Sequence, residues 1–465
     1  MLHSPLTPVL LKLTYISRLS LLSLCALPLI SQSPRANTVL EMNSALRTQR
    51  WEGNRLGLRR MVEARADLLE QAIRAGDRPL SRFLLPADDA QRIRALVPDA
   101  ASSIETVAEW EGELQGIVAD DFQHGKSHTE WRLQTANETF ELFFDDPTAP
   151  KTIAGGSRVH VEGTSVRKVI AAGSMLAQSQ AAVSCSTTGP QNIAYLLATM
   201  PSASTFPSGF TPSFFQQTAF GTSGLTLNTY WQESSYGLTS ATGQVFGPFA
   251  LPQDYSCNQT NAMEAAILQA ASASVDFTQF SRIAVIFPAT GCSFGGLGTL
   301  GCVTLPNRTQ VASFAWFPLV SFQDTADFVA TLAHEHGHNL GLDHANTLDY
   351  GATALGALNN AGTDGEYGDV FSAMGSSPTG FGHSIAGQYA LQHKILLNWL
   401  GKGSGYREVT TPGTFTIAPY ESSTGLRGLR ILRDALTGSW LWLEFKQPIG
   451  AADSSLAYLS QSFIF

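Results

Sequence analysis

The spacing of apolar and polar positions changes several times along the chain, and the changes divide it. Residues 1–33 carry Lys12 and Arg18, then a mostly apolar run over 19–30, then Ser31-Gln32-Ser33, the pattern of a secretory signal peptide. The run is shorter than the roughly 20 residues a bilayer span needs, so cleavage is favoured over a membrane anchor. Lipidation at Cys25 is a lesser alternative, because Leu24 before it fits a lipoprotein box poorly. Residues 34–104 are rich in Arg and Leu, with helical spacing in Leu56-Gly57-Leu58-Arg59-Arg60-Met61-Val62 and on to Leu69, then Pro79, Pro86 and Pro98. This is read as a helical pro-segment-like region, with a solvated helix face of no regulatory role as the equal alternative.

Residues 105–175 switch to alternation: Trp110-Glu111-Gly112-Glu113-Leu114, Phe140-Glu141-Leu142-Phe143 and Val159-His160-Val161-Glu162-Gly163, broken by Asp145-Asp146-Pro147 and Gly155-Gly156. They predict a small OB-like β-barrel, an accessory domain of structural or inhibitory character. His124, His128 and His160 in it form no recognisable ligand set. Residues 176–400 contain the apolar runs Ile283-Ala284-Val285-Ile286-Phe287 and Val311-Ala312-Ser313-Phe314-Ala315-Trp316-Phe317, both expected as buried strands. The second is also expected to offer backbone groups to an extended substrate, with a plain core strand as the alternative. After Gly401-Lys402-Gly403-Ser404-Gly405, read as a linker, residues 414–417, 429–432 and 441–445 predict a C-terminal β region over 401–465. Its apolar end at Ile464-Phe465 reads as a truncation.

The densest chemistry is His334-Glu335-His336-Gly337-His338-Asn339-Leu340-Gly341-Leu342-Asp343-His344, which fits H-E-x-x-H-x-x-G-x-x-H throughout. On a helix, His334 and His338 project from one face toward one metal. Glu335 can reach a water on that metal without ligating it, and is the candidate general base. Gly341 sits where the helix must stop, a position suited to positive φ, after which His344 can return as third ligand. Asp324-Thr325-Ala326-Asp327 offers capping oxygens and first-turn negative charge, and Phe328, Val329, Leu332 and Leu340 an apolar face. His336 points away and is read as non-ligating. The implied cofactor is Zn2+.

Met374 follows in the small-residue run Phe371-Ser372-Ala373-Met374-Gly375, the Met-turn context expected of metzincins, where a thioether forms an apolar floor under the metal. The alternative is a core methionine. The zinc motif, Glu366-Tyr367-Gly368-Asp369, Met374-Gly375, Gly382-His383 and Lys394-Ile395-Leu396-Leu397-Asn398-Trp399-Leu400, together with Tyr230-Trp231-Gln232-Glu233-Ser234-Ser235-Tyr236-Gly237, resemble the gametolysin family of metzincin peptidases over about residues 185–450. The resemblance implies zinc-dependent endopeptidase activity; founding members of that family digest glycoprotein-rich matrix. Ser376 is not the tyrosine that astacins place after the Met-turn, which disfavours that branch. His383 and His393 are expected in packing or a substrate pocket. The fold class expected is α+β and multidomain, a metzincin catalytic domain with a twisted mixed sheet and zinc-binding helix over 176–400, flanked by small β domains.

A net charge of −9 over 465 residues argues against nucleic acid as a partner. Protein or glycoprotein is the expected substrate, and no stable membrane association is expected. Without residues 1–33, four cysteines remain, Cys185, Cys257, Cys292 and Cys302, and an exported chain with an even number predicts two disulfides. Three pairings are open. Cys292 with Cys302 is the cheapest, since Gly291, Gly295, Gly296, Gly298 and Gly301 read as a compliant loop. The sharper alternative is Cys185 as an inhibitory zinc-binding thiolate. Asn137-Glu138-Thr139, Asn258-Gln259-Thr260 and Asn307-Arg308-Thr309 are glycosylation sequons. The location expected is extracellular, or periplasmic in a bacterium that retains the protein. Rival readings are a catalytically silent, zinc-containing matrix-binding protein and a glycan- or wall-binding module. Intact Glu335 opposes the first, and no repeated aromatic platform supports the second.

Overall fold

The computed structural model describes residues 34–77, 80–144, 153, 155–178, 183–288, 292–305, 310–319, 325–358, 360, 362–375, 387–454 and 463–464. Residues 1–33, the 145–147 break, the 307–309 sequon, Asp324, Ser376, His383 and the terminal Phe465 lie outside the described residues.

Helices α1 (Pro34–Thr48), α2 (Arg55–Arg74) and α3 (Ala87–Leu96) form a small layer. The Asn54 side chain caps α2 by accepting from the Gly57 N–H, and Leu58, Val62, Ala66, Leu69 and Ile73 share its buried face at helical spacing. Arg65 on that face is buried as well. Its guanidinium grips the Glu105 carboxylate at 2.6 Å and the Phe83 carbonyl at 2.8 Å, tying the layer to the first strand.

Strands β1 (Thr106–Asp121), β2 (Lys126–Gln134), β3 (Thr139–Phe144), β4 (Arg158–Val166) and β5 (Val169–Ala177) pair in the order β2-β3-β5-β4-β1, and β2 also pairs with β1, so the five close on themselves. Leu114, Leu133, Leu142, Val161 and Ile170 fill the inside. Strand β1 is shared: its first half lies on β4, its second half on β2, and residues 117–120 pair antiparallel with a strand of the next unit. The barrel is thereby continuous with the larger sheet rather than a free-standing flank.

That sheet is built from β6 (Gly189–Thr199), β7 (Thr239–Ala250), β8 (Arg282–Phe287), β9 (Gly296–Thr299), β10 (Val303–Thr304) and β11 (Val311–Pro318), with α4 (Pro212–Phe220), α5 (Leu227–Ser234), α6 (Thr260–Ala271) and α7 (Thr325–Asn339) around it. Strands β7, β6, β8 and β11 are parallel, and β9 runs antiparallel beside β11. Both faces are covered, so β8 is buried at every position, as a continuous apolar run requires. Ile193, Tyr195 and Leu197 meet α4, α5 and α7, while the alternating Ala194 and Leu196 meet α6. The result is a mixed α/β body with a large mixed sheet.

Several expectations need correction. Strand β11 has β8 on one edge and β9 with β10 on the other, so it cannot offer free backbone to a substrate. The disulfides are Cys185–Cys302 and Cys257–Cys292, neither of them the 292–302 pair. The glycines that suggested a compliant loop include Gly296 and Gly298, which form β9. A Cβ on Gly298 would stand 2.7 Å from the Glu335 carbonyl oxygen, so these glycines serve close packing of α7 on the strand. Finally, residues 414–417 are not a regular strand.

Beyond α7 come β12 (Thr347–Asp349), β13 (Thr363–Gly365), α8 (Leu391–Leu396), β14 (Tyr406–Val409), β15 (Gly428–Asp434), β16 (Ser439–Lys446), α9 (Gly450–Asp453) and β17 (Phe463–Ile464). The last four strands form one sheet in the order β14-β15-β16-β17. It packs on the main body: Lys446 Nζ donates to the Phe371 carbonyl at 2.8 Å, and Glu233 accepts from the Ala451 and Ala452 amides that open α9. Residues 401–405 are a tight turn, Gly405 N–H to Gly401 O at 2.8 Å, rather than a spacer.

Candidate metal centre

Helix α7 presents Phe328, Val329, Leu332 and Ala333 to the sheet, and its residues from Leu332 through Asn339 are all buried. It ends in a Schellman turn: Leu342 N–H bonds Gly337 O at 3.0 Å and Gly341 N–H bonds His338 O at 2.8 Å, with Gly341 at φ +97°. A side chain at that φ would be strained, which accounts for the glycine. The turn reverses the chain and brings His344 beside the helix. Ring centroids of His334, His338 and His344 stand 5.0, 5.3 and 4.9 Å apart, a compact triangle.

Each imidazole is oriented through its Nδ1. That of His334 donates to Ala373 O at 2.7 Å, that of His338 to Leu342 O at 2.7 Å, and that of His344 to a Glu366 oxygen at 3.1 Å. With Nδ1 carrying the proton, all three Nε2 lone pairs are left to converge. Burial drives the His334 pKa down to about 4 despite Asp120. Burial also opposes the charged form of His344, but Asp120 and Glu366 override it and push that group up to about 9. His336 is turned the other way: Tyr195 Oη donates to its Nε2 at 2.7 Å, and Asn339 Oδ1 lies 3.0 Å from its Nδ1.

Met374 is fully buried against α7 at Gly337, where an added Cβ would lie 2.3 Å from its sulfur. Its neighbour Ala373 orients His334, and its own carbonyl accepts from Ala345 N–H, next to His344, at 2.8 Å. The turn thus braces two of the three histidines through backbone. Residues 230–237 form a prop behind the helix: Trp231 Nε1 donates to Tyr389 Oη, which donates to Ala333 O at 2.6 Å. His393 in α8 is buried near the three histidines, and burial takes its pKa down to about 3.

Glu335 is fully buried beside Gly296, whose Cβ, if present, would meet Glu335 Oε1 at 2.2 Å. Neither carboxylate oxygen has a hydrogen-bond partner among the described residues, and burial first, then Asp120, pushes its pKa well up. Asp120 was not anticipated. Arriving on β1, it is fully buried with Oδ1 2.8 Å from His344 Nε2 and Oδ2 3.3 and 3.7 Å from the Nε2 atoms of His338 and His334. Burial favours its neutral form, but His338 and His334 outweigh that and hold it well below the usual carboxylate range. Tyr367 Oη donates to Oδ1, and the Tyr367 ring lies 4.1 Å from that of His344.

Asp120, His334, His338 and His344 together fit a metal ion. Asp120 Oδ2 and all three Nε2 atoms are buried without a hydrogen-bond partner among the described residues, and such groups are costly unless they ligate a cation. Nitrogen donors with one carboxylate suit zinc. Cys185 is bound to Cys302 and cannot serve as an inhibitory thiolate; a carboxylate faces the histidines instead. Glu109, His160 and Glu162 also lie together, on an exposed face of the barrel.

A helix carrying convergent imidazoles and an adjacent buried carboxylate, laid on a mixed sheet, defines a metallohydrolase-type centre. Residues 213–375 match the metallo-peptidase family M12, which supports a metallopeptidase. No curated protein matches the chain. Among solved structures, a chain in a chaperone–substrate complex shows 13% identity over 58% of this chain and 40% of its own length, with a TM-score of 0.20. The chain thus spans two fifths of that neighbour, and a likeness so slight carries no argument.

Proposed function

We propose that the chain is a secreted metzincin endopeptidase in which His334, His338 and His344 hold zinc and Glu335 is the catalytic base. The observation that carries this reading is the set of three buried Nε2 atoms, each fixed by an Nδ1 bond, beside a buried carboxylate that has no other task. Bound there, zinc supplies Lewis acidity toward water and a peptide carbonyl. Glu335 takes a proton from the attacking water and returns it to the leaving amine nitrogen. The gametolysin-like placement rests on residues 366–369, 374–375 and 394–400, and extracellular or cell-wall glycoproteins are the substrate class it implies. Two disulfides fit an oxidising compartment, and among the described residues no helix is long and apolar enough to cross a membrane.

The test is metal content and proteolysis of the purified full chain on a peptide library. One zinc per chain, lost in His338→Ala, is expected, with cleavage abolished by chelator and by Glu335→Ala. Because Asp120 faces the centre, cleavage is measured in the Asp120→Ala chain as well. Chelator-insensitive cleavage, or full activity in Glu335→Ala, would overturn the proposal.

A further inference from the structure

We propose that Tyr367 is a catalytic residue of this centre: its phenol donates a hydrogen bond to the oxygen that becomes negatively charged when water adds to the scissile carbonyl. This rests on the zinc-peptidase reading and adds the donor that such an oxyanion needs. Asp120 is the guide. Its Oδ1 lies 2.8 Å from His344 Nε2, and its Oδ2 lies 3.3 and 3.7 Å from the Nε2 atoms of His338 and His334, so the carboxylate stands in for an oxyanion held where the three imidazoles converge. Tyr367 Oη donates to that same Oδ1. A substrate oxygen that takes this position meets the phenol proton in place of the carboxylate.

The phenol is built into the same unit as the ligands. Its ring is fully buried, with its centroid 4.1 Å from that of His344 and 5.9 Å from that of His334. The backbone that carries it is tied to the segment directly after His344: Asn346 Oδ1 accepts from Tyr367 N–H at 3.2 Å, Ala345 O accepts from Asp369 N–H at 3.0 Å, and Gly368 N–H closes the turn on Gly365 O at 3.0 Å. Tyr367 itself sits at φ +57°, a left-handed conformation that is costly for an aromatic residue and persists because the surrounding bonds fix it. The turn aims the hydroxyl over the imidazoles rather than away from them.

The two side chains then divide the work. As the water oxygen bonds to the carbonyl carbon, the carbonyl π pair moves onto its own oxygen and Glu335 takes the water's proton. When the C–N bond breaks, its electron pair goes to nitrogen together with that proton, and the carbonyl forms again. Tyr367 transfers nothing. It donates one hydrogen bond that strengthens as charge collects on the oxygen, so it lowers the barrier without tightening the planar ground state. The Lys126 carbonyl, 3.4 Å from Tyr367 Oη, is another acceptor within its reach.

The rival role is that Tyr367 merely anchors Asp120, and the test separates the two. Full chains carrying Asp120→Ala, with and without Tyr367→Phe, are loaded with cobalt in place of zinc. They are titrated with N-phosphoryl-leucinamide, whose tetrahedral phosphoryl group offers anionic oxygens, and with imidazole, which offers a nitrogen and no such oxygen; the visible spectrum reads both. Peptide-library cleavage by the zinc forms is measured beside them. Tyr367→Phe is expected to weaken N-phosphoryl-leucinamide and to lower kcat by ~100-fold each, with imidazole affinity and KM unchanged. Asp120→Val, which has no oxygen and is closer to the carboxylate in volume, replaces the alanine chain should that fail to fold. Equal phosphoryl affinity with and without the phenol leaves Tyr367 as an anchor of Asp120 and overturns the proposal; so does an equal loss for imidazole, which means a displaced His344. Cleavage with unchanged kcat in the Tyr367→Phe chain overturns the donor and leaves the peptidase reading intact. A selective loss of phosphoryl affinity in chains that never cleave supports the donor and overturns the peptidase reading.

Discussion

Replacing Gly337 by alanine sets two effects against each other. In a helix interior, Gly to Ala gains about 1 kcal/mol in propensity, so an isolated α7 would be stabilised. In the fold, the new Cβ would stand 2.3 Å from Met374 Sδ and 3.2 Å from Tyr389 Cε1, both in fully buried side chains. Overpacking of that kind costs about 1–3 kcal/mol, so the fold as a whole should lose up to about 2 kcal/mol net. The sharper effect falls on the metal. Met374 can yield only by moving the turn that holds Ala373 O against His334 and bonds Ala345 beside His344. Disturbing such orienting bonds lowers metal affinity about 10- to 100-fold. The assay is competition for zinc with a chromophoric chelator, paired with thermal unfolding of the metal-free chain. Met374→Ala in the same chain removes the clashing sulfur and should recover part of the affinity, a positive coupling between the two positions. A Gly337→Ala chain with unchanged zinc affinity and a raised Tm would refute the reasoning.

Other predictions concern the supports. Glu366→Gln weakens the acceptor that orients His344 and should lower zinc affinity about 10-fold in the same competition assay; unchanged affinity would mean that the Asn346 and Tyr367 segment positions His344 without it. Glu264 has its pKa raised by burial from 4.5 to about 7, with Arg132 opposing. Its stabilising contribution is complete below pH 4.5 and is lost as pH rises through about 7, a change of up to ~3 kcal/mol. Glu264→Gln should therefore flatten the Tm profile between pH 4.5 and 8, and an unaltered slope would count against it. The Cys185–Cys302 loop spans 117 residues and Cys257–Cys292 spans 35, so on loop entropy removing each by paired Cys→Ser costs about 5 and about 4 kcal/mol respectively. Denaturant midpoints rank them, and peptide mapping without reductant checks the pairing directly.

What could be read from the chain and what could not divides by range. His334, Glu335, His338, Gly341 and His344 are legible because a helix and its terminal turn place them within one local unit, where spacing alone decides which face each takes. Their supports at Ala373 and Glu366 lie near motifs that stand out in the sequence, although nothing there says which carbonyl or carboxylate meets which imidazole. Asp120 was missed because it reaches the site on a strand remote in sequence, 247 positions from its partner Tyr367. Its strand is buried on both faces over residues 112–118, just ahead of it, which erases the alternation that would show where a side chain points. Residues 311–317 are expected at the substrate edge because they stand just ahead of the helix that carries His334, a place where metzincins have a strand bordering the cleft. The strand beside Glu335, Gly296-Leu297-Gly298-Thr299, has weak strand propensity, since helix packing against it demands glycine. The same glycines misled the disulfide assignment.

The sharing of β1 between barrel and sheet has a metrological consequence. Successive side chains on a strand point to opposite sides, so sliding β1 by one residue along β9 would turn Asp120 away from the histidines and put Ala119 or Asp121 in line instead. Nothing in a four-residue pairing with a glycine-rich partner forbids such a slide. The barrel does: β1 is clamped over nine pairs by β2 and eight by β4, and closure of the ring fixes how far its end can project. The five-stranded ring thus acts as a gauge block, setting the reach of one carboxylate to within the length of a single residue.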